Sequence, residues 1–454
     1  HVVEAGAGVG GTWYWNRYPG ARCDVESMQY SYSFLDELQQ GWRWSERFAG
    51  QPEILRYANH VADALDLRRD ISFETRVTGA RWDEAPGEWR VATDHGHEIT
   101  ARHLVLATGC LSSARLPDIP GIERFAGRVL HTGQWPHEGV DFTGQRVGVI
   151  GTGSSAIQAI PVIAEQAAHL TVFQRTPNFS IPSRNAPMDA PYEQSWKQDY
   201  AARRAAARKM RTGILYELNP KSALEVSEAE REAEYERRWQ AGGTAFMASF
   251  SDLLLNKEAN DTAAEFVRRK IRAMVQDPAV AEALAPTNHP IGTKRICVDT
   301  RYYETFNRAN VKLVNLRQDP IEEVTETGIR TRSGTHELDA LVCATGFDAM
   351  TGTILAMDLR GAGGLSLRQL WADGPRAHLG LMVAGFPNMF MITGPGSPSV
   401  LSNMIVSIEQ HVDWVTELLA RMQARGLTRV EPTAEAQDAW VAHVNEVAHR
   451  TLYP

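Results

Sequence analysis

The stretch RVGVIGTGSSAIQA, residues 146 to 159, decides the fold. Arg146 to Ile150 is an apolar, β-branched run of strand length. It enters Gly151-x-Gly153-x-x-Ala156, and an apolar helical stretch follows to about Ala168. Backbone without side chains can approach a pyrophosphate closely, and the helix N-terminus behind it turns free N–H groups toward the anion. The next strand, Leu170 to Phe173, ends in Gln174-Arg175-Thr176. A unit built for NAD carries an acid at that strand end; an arginine pairs with a 2′-phosphate instead. The stretch is therefore read as a βαβ unit for NADP. Gly151, Gly153, Ser154 and Ser155 are its candidate pyrophosphate contacts, and Arg175 and Thr176 its candidate 2′-phosphate contacts. A lone glycine motif is weak, but here strand, glycines and basic strand end agree.

Upstream, residues 1 to 20 read HVVEAGAGVGGTWYWNRYPG and also contain G-x-G-x-x-G, at Gly6 to Gly11. The context differs. Trp13 to Tyr18 run straight into Pro19-Gly20, which breaks a helix and favours a turn, so no helix is expected after these glycines. A short β-branched strand ending in an acid is how the second strand of a dinucleotide unit ends, with the carboxylate on a ribose hydroxyl. Glu4 is read as that acid. Its glycine loop is expected about 20 residues upstream of it, before residue 1.

The 454 residues suffice for two or three domains with substantial cores. A net charge of -8 argues against nucleic acid or an anionic membrane as partner. No apolar run is long enough to span a bilayer. Cys23, Cys110, Cys297 and Cys343 are far apart, which excludes a C-x-x-C pair and a secreted-type disulfide framework. Each is expected to be a small buried apolar residue. A reducing cytoplasm, a monomer and no metal are the expectations.

Helical periodicity runs from Gln51 to Asp66. Ile71 to Val77, Trp82 and Trp89 to Thr93 alternate like strands around Pro86-Gly87. Leu104 to Gly109 is a short strand ending Ala-Thr-Gly, echoed by Ala344-Thr345-Gly346 at the end of Leu341 to Gly346; the echo suggests two crossings between nucleotide-binding domains. Ala201 to Met210 and Ser227 to Trp239 are charged and alanine-rich, and their arginines and glutamates are read as solvated helix faces. Strands resume at Val311 to Leu316 and Ile329 to Thr331. The rigid Gly394-Pro395-Gly396-Ser397-Pro398-Ser399 loop precedes a helix from Ser402, its expected cap, to about Arg425, stopped by Gly426. The fold class is α/β, with two Rossmann-like domains and a helical insertion. The expected domains are 1–109 with 340–454 for the first dinucleotide, 110–180 with 291–339 for NADP, and 181–290 for the insertion.

Two longer strings narrow this. Phe125 to Pro136 reads F-x-G-x-x-x-H-x-x-x-W-P, with His131 and Trp135 at its marked positions. Gly10-Gly11-Thr12-Trp13-(x4)-Tyr18-Pro19-Gly20-(x3)-Asp24 stands near the start. Together they resemble the fingerprint of type I Baeyer–Villiger monooxygenases, and the resemblance runs from the first residue to the last. It implies FAD and NADP(H) as cofactors. It implies a hydrophobic ketone, aryl or cyclic, and O2 as reactants. A flavin C4a-peroxide would convert the ketone to an ester or lactone, with sulfoxidation as a side activity.

Residue by residue, Arg295 in Gly292-Thr293-Lys294-Arg295 matches the active-site arginine, and Asp24 its paired carboxylate, which also touches both cofactors. An arginine stays charged and its fork suits two oxygens at once. Lys294 matches a second 2′-phosphate ligand. Glu4 would hold the FAD ribose; Thr12, Trp13, Tyr14, Trp15 and Tyr30 would line the flavin, and Met404 would approach its ring. His131 becomes a hinge residue in NADPH-driven domain rotation, supported by Trp135. Ser399, Val400 and Leu401 match a loop shaping the ketone pocket. The resemblance also leads to the expectation that the first βα unit of the FAD domain and a C-terminal tail over the NADP site lie outside residues 1 to 454. Two alternatives share the plan: an N- or S-hydroxylating flavin monooxygenase, and a truncated, non-catalytic nucleotide-binding remnant. A disulfide reductase would need a redox cysteine pair.

Overall fold

A computed structural model describes residues 1 to 453. The deciding stretch forms the strand Arg146–Ile150, the helix Ser154–Gln166 and the strand His169–Gln174. Ala156, Ile157, Ala159, Ile160, Ile163 and Ala164 give the helix a continuous inner face with no solvent exposure. Their spacing is that of one helical stripe. Each buried isoleucine stabilises by roughly 1.5–3 kcal/mol, so a polar replacement at Ile160 would detach the helix from its sheet.

That sheet is parallel and five-stranded, in the order Val311–Asn315, His169–Gln174, Arg146–Ile150, Ala340–Cys343, Arg128–His131. Val149 lies between Val172 and Val342, all three fully buried. Strands covered on both faces need such unbroken apolar runs. The strand order reverses beside Arg146–Ile150, and doubly wound sheets bind ligands at the carboxyl ends of such a point.

The remaining strands are more divided. Among the described residues Val2–Val3 pairs with Ile71–Ser72 alone, and Leu104–Leu106 with Met389–Met391 alone, both in parallel. Val2 is 53% and Val105 46% exposed. A four-stranded sheet, Asp358–Arg360, Val77–Asp83, Glu88–Thr93, Glu98–Ala101, buries its own Trp82 and Trp89 in a core with Phe386. The strand expected over 71–77 stops at Ser72 and restarts at Val77, because Glu74 adopts φ +53° between them.

The chain crosses twice between these parts. Gly109 and Gly346, ending the two Ala-Thr-Gly echoes, both take left-handed φ, +72° and +84°. The segments after them lie side by side, with Asp348 N donating to Ser113 O at 2.9 Å and Met350 N to Cys110 O at 2.8 Å.

Helices Ala190–Gln198, Tyr200–Ala207, Glu228–Ala241, Lys257–Met274 and Pro278–Leu284 make up the insertion. Ser227 caps the third through Glu230 N at 3.2 Å, as its S-x-x-E spelling favours. The short strand Ser180–Pro182 pairs in parallel with Cys297–Asp299 and closes the excursion.

Three details correct the sequence reading. Thr12–Trp15 does form one helical turn, started by Gly11 at φ +49° and ended at Asn16; Pro19-Gly20 keeps it from growing. The long helix is Met404–Ala424, capped by Asn403 rather than Ser402. Ser402 instead donates its hydroxyl to Ser399 O. Arg204 is buried, 5% exposed, not on a solvated face, because Tyr200, Arg204 and Ala207 form the inward stripe of their helix. All four cysteines are buried and unpaired. Among the described residues no helix is long and apolar enough to cross a membrane.

Candidate active site

Three distant segments meet at Arg295. Gly292, at φ +87° and packed against Met247 and Leu254, turns the chain toward the strand Cys297–Asp299. Arg295 then forks onto one carboxylate: Nε donates to Asp24 Oδ2 at 3.0 Å and Nη2 to Oδ1 at 2.9 Å. Its third nitrogen, Nη1, donates to the Val400 carbonyl. The two side chains are 30% and 21% exposed. Burial alone would lower the pKa of this guanidinium; the charge and hydrogen bonds of Asp24 outweigh it and hold the group above the usual arginine range. Arg295 is therefore a fixed cation whose planar fork is locked at both ends.

Val400 sits in the single turn Ser399–Leu401. Ser399 is buried at a left-handed φ of +44°, Val400 is half-buried and Leu401 is 45% exposed. The turn offers an apolar rim next to the cation. Met404 opens the helix that follows. Asn403, before it, accepts from Ile405 N and donates to Gln29 O at 2.8 Å. Arg204 reaches the same carbonyl from the insertion, at 2.9 Å, and donates to Ser31 O as well. The backbone around Tyr30 is thus gripped from two sides. The sequence reading missed both Asn403 and Arg204. An Asn before an apolar run was a readable signal for the first.

Tyr30 accepts from Trp13 Nε1 at 3.2 Å, their rings edge-to-face at 6.0 Å. Burial holds the Tyr30 phenol well above its ordinary pKa, so it stays protonated. Tyr14 accepts from Ala7 N, and its ring lies near Trp15 and His137. Thr12 is exposed on the same turn. Glu4, at the end of its strand, binds Gly6 N with Oε1 at 2.6 Å, which orients the carboxylate at the strand's carboxyl end. Such a platform of fixed aromatic edges beside an oriented acid suits a flavin dinucleotide.

On the other side of the ion pair, Gly151 adopts φ +114°, and a Cβ there would stand 2.4 Å from Ala344 O. At Gly153 a Cβ would meet nothing within 4 Å, so the loop faces open space, as a phosphate cradle must. Ser154 Oγ lies 3.2 Å from Cys297 Sγ, and Ser155 Oγ 3.2 Å from Thr132 Oγ1. Thr152 donates to Thr176 O at 2.9 Å, tying the loop to the end of the next strand. Arg175 and Lys294 are exposed there. Burial, then the charges of Arg175 and Arg317, pull the Lys294 ammonium below its ordinary pKa. Arg317 was not foreseen. It lies just past Val311–Asn315, whose Asn315 is in register with Gln174. Three cations crowded this way fit a dianionic phosphate.

His131 ends a strand of the same sheet beside Cys343 and is 5% exposed. Nδ1 accepts from Gly133 N at 3.0 Å, and Nε2 has no hydrogen bond among the described residues. Burial lowers its pKa, partly offset by the nearby Arg115 and Gly346 backbone, so the ring is neutral. Both of those residues belong to the paired crossing segments. Trp135, 3% exposed, packs edge-on against Phe142 rather than on the histidine; Phe347 is the ring that touches His131.

Residues 28–194 match the family model described as pyridine nucleotide-disulphide oxidoreductase. A Baeyer-Villiger monooxygenase of Pseudooceanicola batsensis is 45% identical over 462 residues, which cover 99% of this chain and 82% of the relative. The solved structure of an oxidized steroid monooxygenase bound to NADP is 56% identical, with a TM-score of 0.96 over 99% of this chain and 86% of its own. OTEMO in complex with FAD and NADP is 45% identical, with a TM-score of 0.97 over 99% and 86%.

Proposed function

This chain belongs to the Baeyer–Villiger monooxygenases, and on that premise we propose how its residues divide the work. The enzyme oxidises ketones to esters, or cyclic ketones to lactones, and needs FAD, NADPH and O2. Bound FAD, reduced by NADPH, supplies the electrons and the activated dioxygen. The protein's part is electrostatic. Arg295 stabilises the negative charge that develops on the substrate carbonyl oxygen, with no proton to lose at working pH. Asp24 aims the fork and balances its charge, so that a cationic nicotinamide can lie nearby. Arg175, Lys294 and Thr176 hold the 2′-phosphate; Gly151, Gly153, Ser154 and Ser155 hold the pyrophosphate. Glu4 holds the flavin dinucleotide's ribose, and Thr12 to Trp15, Tyr30 and Met404 flank its ring. The apolar rim at Val400 and Leu401 favours hydrophobic ketones, aryl ones included, and sulfides as side substrates. His131 guides the crossing segments; its burial beside Phe347 and the Arg115 and Gly346 backbone supports that role. Residues 1–109 with 340–454, 110–180 with 291–339, and 181–290 are the working units of a cytoplasmic monomer that needs no nucleic acid; the acidic charge speaks against a nucleic-acid partner and the unpaired cysteines suit a reducing compartment.

The observation that carries the reading is the Arg295–Asp24 fork with its third nitrogen on Val400. The test is product analysis by mass spectrometry with FAD, NADPH, O2 and phenylacetone. Benzyl acetate is expected. Arg295→Ala should lower its rate by ~10²–10³ while flavin remains bound. NADPH consumption that releases only hydrogen peroxide from every ketone tried would overturn the reading.

A further inference from the structure

The glycine-loop helix Ser154–Gln166 is attached to both partners of the ion pair. On the arginine side, Ser154 Oγ meets Cys297 Sγ at 3.2 Å, two residues past Arg295. On the aspartate side, the hydrogen bonds run through the Gln158 amide. Its Oε1 accepts from the Tyr18 hydroxyl at 2.8 Å and from Arg22 N at 3.3 Å, and its Nε2 donates to Arg22 O at 3.0 Å. Arg22 is two residues before Asp24. One amide therefore grips both backbone groups of a residue 136 positions away. The approach is close: Gly20, at φ +79°, turns the chain there, and a Cβ on it would lie 2.3 Å from Gln158 O. The side chain of Arg22 is held separately, by Glu46 and the Phe48 carbonyl. The connections close a ring that runs Ser154, Cys297, Arg295, Asp24, Arg22, Gln158 and back along one helical turn.

We propose that Gln158 is a positioning residue, fixing the Asp24 segment to the glycine-loop helix so that filling the glycine loop sets the geometry of the Arg295–Asp24 pair. The idea rests on the reading of that pair as the active-site cation. A fixed helix turn and a locked fork leave Gln158 as the joint through which the aspartate half of the pair follows the NADP half. Contiguous two-ended networks of this kind are what transmit a binding event, provided coupling is measured.

Hydrogen exchange on the FAD-bound chain, with and without NADP+, measures it without any ketone. In the parent chain NADP+ should slow exchange in peptides covering 151–158 and 18–24 together. In Gln158→Ala, which removes three hydrogen bonds, the first protection should persist and the second should fall by more than about fivefold, the shift a single neutral hydrogen bond supports. Tyr18→Phe, which removes a single hydroxyl, should weaken the second effect to a smaller extent and serves if Gln158→Ala does not fold. Equal protection of 18–24 in parent and variants, or none in the parent, would overturn the proposal. Ester formation by the parent enzyme is scored separately, so a failure of the chemistry is not mistaken for a failure of the joint. With the chemistry intact, the variants should also release more hydrogen peroxide per NADPH while their NADP+ affinity stays within about twofold.

Discussion

A surface arginine usually keeps several donors in water; Arg295 spends its nitrogens on Asp24 and Val400. That is why its motif was readable only through a resemblance. Gly-Thr-Lys-Arg says nothing about a carboxylate 271 positions earlier in the chain. The proposed 2′-phosphate cluster shows the same limit. Arg175 was legible because it ends a strand of a recognisable unit. Arg317 was not, because its nearness to Arg175 depends on two strands pairing in parallel across the intervening insertion. Arg317→Ala is expected to raise KM for NADPH roughly threefold, the size of an exposed ion pair, and to leave KM for NADH unchanged. Arg175→Ala should raise it roughly tenfold or more with the same selectivity. Initial-rate kinetics with both coenzymes checks the pair, and equal losses with NADH would remove the phosphate from the explanation.

At the level of elements, the strand–loop–helix unit followed from its sequence almost residue by residue, because strand, turn and helix each have local causes. The joints between elements did not. Gly151 is one of these. With φ at +114° and Ala344 O at 2.4 Å from a would-be Cβ, Gly151→Ala must displace the crossing segment. A loss of about 1–3 kcal/mol in urea unfolding, with weakened NADP+ binding, is expected. A second joint is Asp299, which accepts from Ser180 Oγ at 2.5 Å and from Tyr302 N at 3.1 Å, linking two strands and a helical turn. Burial, opposed by those two bonds and reinforced by Glu304, raises its pKa to about 6. The folded chain thus keeps a proton that the unfolded chain releases near pH 4. The stabilisation is complete below about pH 4 and is lost as pH rises to about 6, a change of ~2–3 kcal/mol. Asp299→Asn should flatten that slope, so its melting temperature relative to the parent should rise between pH 4.5 and pH 7. A constant difference across that range would show that Asp299 is charged throughout.

Over the whole molecule, the layout of two nucleotide-binding parts and a helical excursion was legible from repeated strand ends and a change of composition. The contacts of the excursion were not. Arg204 looks like one of several charges on an exposed helix, and only the packed structure shows it reaching the carbonyls on either side of Tyr30. Because NADP(H) binds the folded chain alone, NADP+ at a hundredfold excess over its Kd should add ~2.7 kcal/mol to stability, as calorimetry or thermal shift can test. Because Arg204 ties its helix to the carbonyls on either side of Tyr30, the excursion should melt together with the segment around Tyr30 and not before it.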